Sequence, residues 1–259
     1  MRDANRTPLQ AVVLAAGDGD RMHPHAGGRP KSLIPICGRP IINHVLDGLF
    51  AAGVRDTLIV VGFESHELRH ALADVSPCGM TVRFVENLEF ASGNARSLWA
   101  ARDDVSGSFV LAMADHLAAP SIARKLAAGA GDRCRLAVEF ADQDDVRAHE
   151  ATRALVQDGL VVDLGKTIDE WNAFDTGTFL CTPAIFDAIT PANRDGELGA
   201  IFATLARKLE LEAVDVSGLR WIDIDTEADV IAAQLLWASR RAPASRREEL
   251  RSTAPDGVA

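Results

Sequence analysis

Tyrosine is absent from this sequence, and aromatic residues make up only 5% of it. Trp99, Trp171, Trp221 and Trp237 are a thin supply for an aromatic cage around a quaternary ammonium ligand. Cysteine is scarce as well. Cys37, Cys78, Cys134 and Cys181 are scattered, without paired metal-ligand spacing or the density of a disulfide framework, so their expected role is small buried filler. No apolar run approaches the roughly 20 residues of a membrane-spanning helix. The first eight residues lack the apolar core of a signal peptide, and the expectation is a cytoplasmic protein without direct membrane insertion. Positive charge is in deficit: the formal net charge of −10 argues against a general nucleic-acid binder, whose affinity comes from neutralising phosphates.

What the chain does have is a large apolar fraction, 47% of 259 residues, enough for one large α/β domain or two small ones. Residues 10–15 read as a buried strand. Ile41, Ile42, Val45, Leu46, Leu49 and Phe50 recur as the buried face of a helix that Pro40 opens and Gly53 stops. Strands at 57–61, 81–85 and 109–113 alternate with helices near 65–73 and 94–102. This is the spacing of a parallel sheet with helices on both faces. A helix at 121–126 and a strand at 135–140 follow. Residues 151–156 and 160–164, joined at Gln157-Asp158-Gly159, read as a hairpin covering the site from above and contacting the acceptor. A strand at 178–181, a helix after Pro183, another helix at 198–208, short strands at 213–216 and 221–224 and a helix at 227–239 complete the pattern. Residues 240–259 lack apolar periodicity and are expected to be a disordered tail.

The stretch from Ala11 to Lys31 organises the rest. An apolar strand stops at Gly17, and Gly19, Arg21 and Lys31 follow before the next helix. Glycines let backbone N–H groups approach a polyphosphate, and the cations balance its charge. The spacing is neither that of a Walker loop nor that of a dinucleotide fingerprint. Gly17, Asn87 and Asp115 all fall just past strand ends, where ligands of open α/β sheets bind.

Leu14-Ala15-Ala16-Gly17-x-Gly19-x-Arg21-Met22 followed by Pro30-Lys31 resembles the signature of the sugar-1-phosphate nucleotidylyltransferase superfamily. Ser92-Gly93-Asn94-x-x-Ser97-Leu98, Met113-Ala114-Asp115-His116 and the run from Trp171 to Pro183 are most similar to the cytidylyltransferases that activate inositol 1-phosphate with CTP. The likeness runs from about residue 10 to about residue 236. It implies the Rossmann-like nucleotide-diphospho-sugar transferase fold: a mostly parallel mixed sheet, helices on both faces, and a small β insertion over the site. It also implies one domain over 1–239, with a nucleotide-binding half at about 10–140 and an acceptor-binding half at about 141–239.

The reaction implied is attack by an acceptor phosphate oxygen on the α-phosphorus of CTP. Both reactants are anions, so the protein's task is to neutralise and align them. By resemblance Lys31 and Arg21 stabilise the triphosphate, and Asp115 and Asp223 hold a catalytic Mg2+. Asp225 competes with Asp223, since the two share a strand face, and Asp225 could equally cap the last helix. Leu14, Ala15, Ala16, Gly17, Gly19, Asn87, Gly93, Asn94 and Ser97 form the nucleotide subsite, with helix capping the alternative use of Asn94. Lys166, Asp175 and His116 face the phosphorylated polyol acceptor, His116 in a minor positioning role.

Asp18 and Asp20 add two negative charges to the loop, and at the second place serine or another neutral residue is commoner. Many relatives carry a fused membrane enzyme that uses the CDP-inositol product. No membrane segment follows here, so a separate membrane CDP-alcohol phosphotransferase is the partner expected, and a homodimer stays open. A sugar-1-phosphate or phosphocholine nucleotidyltransferase using another nucleotide is the competing reading. A non-catalytic nucleotide-sensing domain is the alternative of another class, against which Lys31, Asp115 and Asp223 together speak. A related glycosyltransferase would need Asp-x-Asp where the chain has Met113-Ala114-Asp115-His116.

Overall fold

A computed structural model describes residues 9–17, 28–73 and 77–238. Gly19 and Arg21 of the glycine loop, with Asp18 and Asp20, and the tail from 240 onward lie outside the described residues. In chain order the strands are β1 Gln10–Ala15, β2 Pro35–Ile36, β3 Arg39–Pro40, β4 Asp56–Val61, β5 Thr81–Glu86, β6 Phe109–Met113 and β7 His116–Ala118. They continue as β8 Cys134–Phe140, β9 Arg153–Gln157, β10 Leu160–Gly165, β11 Ala173–Cys181, β12 Leu211–Asp215 and β13 Trp221–Asp223. The helices are α1 Ile41–Ala52, α2 Ser65–Leu72, α3 Asn94–Ala100, α4 Pro120–Ala127, α5 Leu198–Arg207 and α6 Glu227–Ala238.

Nine strands form one sheet in the order β5-β4-β1-β6-β11-β8-β12-β10-β9. The first four are parallel, whereas β11 runs antiparallel to both β6 and β8. β1 shows why the sheet is central. Ala11, Val13 and Ala15 pack in one apolar cluster and Val12 and Leu14 in the other, so both faces of the strand are buried, as a parallel strand requires. The first cluster takes in α1, α2, α4 and α6, the second α3 and α5. Each fully buried Ile, Leu or Val of α1 contributes about 1.5–3 kcal/mol. Gly53, at φ 108°, stops that helix in the left-handed conformation.

The hairpin β9–β10 turns through Asp158 and Gly159, both at positive φ, as expected for a tight two-residue turn. It is built into the main sheet: β10 pairs with β12, and β9 closes back on the start of β11, Ala173 against Ala154 and Phe174 against Arg153. The Asn172 carboxamide adds two bonds, accepting from Val156 N at 2.8 Å and donating to Val156 O at 2.9 Å. With these partners the strand's backbone is satisfied within the sheet and has no need of a separate layer. The segment after Pro183 is a 3-10 turn, Pro183–Ala188, in place of the expected helix. Two short pairs escape sequence reading, β2 with β3 and β7 with β13. The second matters most, because it sets Asp223 opposite His116.

Candidate active site

Past the carboxyl ends of β1 and β6, Pro30 opens a single 3-10 turn, Lys31–Leu33, that points Lys31 inward. Its Nζ donates to Asp115 Oδ2 and Asp225 Oδ1, each at 2.7 Å, and the residue is buried. Burial alone would lower the Lys31 pKa, but Asp115 and Asp225 outweigh it and the pKa is raised. The Asp115 carboxyl is likewise held below its ordinary value: burial pushes it up, and His116 and Lys31 overcome that.

A second pair lies beside the first. His116 Nε2 is 3.1 Å from Asp223 Oδ1 and 3.8 Å from Asp115 Oδ1. Burial works against the imidazolium, yet Asp223, Asp115 and Asp175 together raise its pKa to about 10, so His116 is charged at neutral pH. Asp115, His116 and Asp223 offer ligand atoms that all lie within 4.8 Å of one another. Gly177 makes room for this arrangement. The β11–β8 register shifts between Asp175 and Phe179, and in that bulge Gly177 sits at φ 70°, where a Cβ would overlap the His116 imidazole ring. Asp175 accepts from Gly177 N at 2.7 Å, and its pKa is raised to about 6, chiefly by burial.

These groups open on a cavity of roughly 590 Å³ lined by His116, Lys166, Asp175, Asp223 and Asp225. The three sequence-predicted acceptor residues therefore share one wall system with Asp223. Among the described residues, Lys166 has no ion pair or hydrogen bond. The cavity also takes in Arg147, His149, Glu150 and Thr152, which precede the hairpin and carry no motif that sequence reading could have used.

Of the residues expected to hold the nucleotide, Leu14, Ala15 and Ala16 are buried and Gly17 is exposed. Asn87 and Ser97 are buried and bonded to each other, Nδ2 to Oγ at 3.0 Å, while Asn87 Oδ1 accepts from Glu89 N. Gly93, at φ 112°, is pressed so closely on the backbone of Gly196 that no Cβ fits. Asn94 does not cap its own helix. Its carboxamide oxygen accepts from Leu198 N, the first residue of α5, so this oxygen is committed to joining α3 to α5.

Asp225 is not the cap of α6 either. Thr226 and Asp229 bond reciprocally, Thr226 N to Asp229 Oδ2 at 2.7 Å and Asp229 N to Thr226 Oγ1 at 3.3 Å, which is a capping box. That leaves Asp225 for Lys31 and Asp223 for His116. The sequence did hold this signal, as Thr226-x-x-Asp229.

A family model described as MobA-like NTP transferase domain matches residues 11–208. The bifunctional IPC transferase and DIPP synthase of Rubrobacter xylanophilus is 32% identical over 92% of this chain and 55% of its own length. The protein of the same description from Thermococcus kodakarensis is 30% identical, over 88% of this chain and 50% of its own. The chain thus spans about half the length of these curated relatives. Among solved structures, the inositol-1-phosphate CTP transferase from T. maritima superposes with a TM-score of 0.80 at 25% identity, covering 92% of this chain and 98% of that one.

Proposed function

Starting from the fact that the chain belongs to the MobA-like NTP transferase domain family, we propose that it condenses CTP with inositol 1-phosphate to CDP-inositol and pyrophosphate. A phosphate oxygen of the acceptor attacks the α-phosphorus of CTP. The new P–O bond forms as the bond to the bridging oxygen breaks, and pyrophosphate leaves with the electron pair. The observation that carries this reading is the Lys31 ammonium buried between Asp115 and Asp225 beside the acceptor cavity, supported by the inositol-phosphate relatives.

Lys31 supplies fixed positive charge where the transition state gathers negative charge, in a site that needs no reorganisation to do so. Lys166 is the cavity cation left uncommitted for the acceptor phosphate, and Asp175 accepts a hydroxyl hydrogen bond from the polyol. Arg21 holds the β and γ phosphates. Asn87, Gly93, Asn94 and Ser97, with the backbone of Leu14 to Gly17 and Gly19, frame the base.

The donor set suits Mg2+, a hard cation that takes carboxylate oxygens. Asp223 Oδ1 is buried with only the His116 ring beside it, at 3.1 Å, and Asp115 offers an oxygen in the same cluster, so an ion bound there would take the Asp223 oxygen over from the imidazole. Asp115 and Asp223 would hold the ion, with Asp225 kept by Lys31. Bound there, Mg2+ would withdraw charge from the triphosphate. No helix among the described residues is long and apolar enough to cross a membrane. A membrane CDP-alcohol phosphotransferase is the partner we propose for the product.

The test is a pyrophosphate-release panel crossing CTP, UTP, dTTP, GTP and ATP with inositol 1-phosphate, sugar 1-phosphates and phosphocholine. CTP with inositol 1-phosphate should lead. A sugar 1-phosphate leading with UTP or dTTP would move the chain to another branch, and silence in every well would favour a nucleotide sensor.

A further inference from the structure

One wall of the acceptor cavity contains an arginine that its surroundings have already neutralised. Arg147 donates from Nη1 and Nη2 to Glu139 at 3.0 and 3.3 Å. The same guanidinium also donates from Nε and Nη2 to Asp145 at 3.1 and 2.8 Å. Its plane lies over the Phe174 ring, 4.9 Å from the centroid, and Phe174 in turn stacks on Trp171 at 5.0 Å. Glu139 accepts a third bond, from the indole N–H of Trp221. Trp221 and Asp223 stand two residues apart on β13, hence on one face, and both line the cavity. A continuous chain of charge-assisted bonds therefore runs from the Val146–His149 turn, through Glu139 on β8, to the strand that carries Asp223.

A cation facing a cavity that admits a phosphorylated substrate invites assignment as a phosphate ligand. The bookkeeping of charge points elsewhere. Two carboxylates surround one guanidinium, and Glu150 and Asp229 add further negative charge to the same cavity; its other cations are Lys166 and His116, and Asp225 there is already paired with Lys31. A dianion brought to this wall would meet net repulsion, whereas neutral hydroxyls would not. Building on the nucleotidyltransferase reading, we propose that Arg147 is a positioning residue: with Glu139 and Trp221 it braces the acceptor wall against β13 and makes the cavity selective for a polyol bearing a single phosphate.

The full chain tests this in two independent ways, steady-state kinetics and hydrogen exchange of residues 142–150. Arg147→Ala should raise the acceptor KM about tenfold, with kcat and the CTP KM changed no more than about twofold. Arg147→Lys should fail to restore it, because one ammonium cannot span two carboxylates as a planar guanidinium does. Trp221→Phe, which removes the indole N–H bond and part of the ring's volume while keeping an aromatic face, should give a smaller rise. Amide protection of 142–150 should fall in Arg147→Ala, and wild type should prefer inositol 1-phosphate to an inositol bisphosphate at least about tenfold in kcat/KM. Wild-type kinetics in Arg147→Lys, a preference for the bisphosphate, or unchanged exchange in Arg147→Ala would overturn the proposal. If no acceptor releases pyrophosphate, the reaction assignment fails by itself, and the exchange measurement still decides whether the brace exists.

Discussion

Replacing Lys31 by Met keeps most of the apolar stem and removes the ammonium. Asp115 and Asp225, each 2.7 Å from Nζ, then lose their shared counter-charge while their side chains stay only 30% and 25% exposed. Breaking a buried pair by removing one partner costs about 3–5 kcal/mol. Partial access to water places this site near the lower end, about 3 kcal/mol, or roughly 6–12 °C in Tm for a domain of this size. The pH dependence has a definite sign. In wild type the Asp115 pKa is lowered, so its contribution is present above the unfolded carboxylate value and is lost as pH falls through the folded one. Without Lys31 the two carboxylates repel and the Asp115 pKa rises from its wild-type position, with His116 left as its counter-charge. The variant's deficit against wild type should therefore be largest at neutral pH and narrow on acidification toward about pH 5. Removing transition-state charge stabilisation should also lower kcat about 10²–10³-fold. Denaturant unfolding at pH 7.5 and 5.5, alongside pyrophosphate release, measures both. Wild-type stability at pH 7.5 together with wild-type turnover would refute the placement of Lys31 at the centre of the site.

Gly177→Ala should cost more than about 2 kcal/mol and most of the activity, since φ 70° is unfavourable for alanine and its Cβ would overlap the His116 ring; unfolding curves with unchanged midpoints would contradict the bulge geometry. His116, whose pKa is raised to about 10, contributes stability fully present below pH 6.5 and lost as pH rises to about 10. In metal-free buffer the advantage of wild type over His116→Gln should be largest near pH 6 and shrink through that window. A constant difference across the range would show that the ion pair with Asp223 does not set the histidine's charge.

Sequence alone determined the elements whose signals are local. β1, α1 and β6 are legible because continuous or helically spaced apolar residues have to be buried, and Pro40 and Gly53 mark where the helix begins and stops. Lys31, Asp115 and Asp223 are singled out by the resemblance of the short motifs that contain them, which are local in the chain. Only the tertiary structure decided how those charges are shared: Asp225 to Lys31, Asp223 to His116, and Asn94 to the start of α5. These partners are brought together by β-sheet register and by one glycine bulge, across separations in the chain that no periodicity spans. The hairpin's place is of the same kind. Alternating residues say that a strand pairs, and the backbone donors of β11 with the side chain of Asn172 say with what.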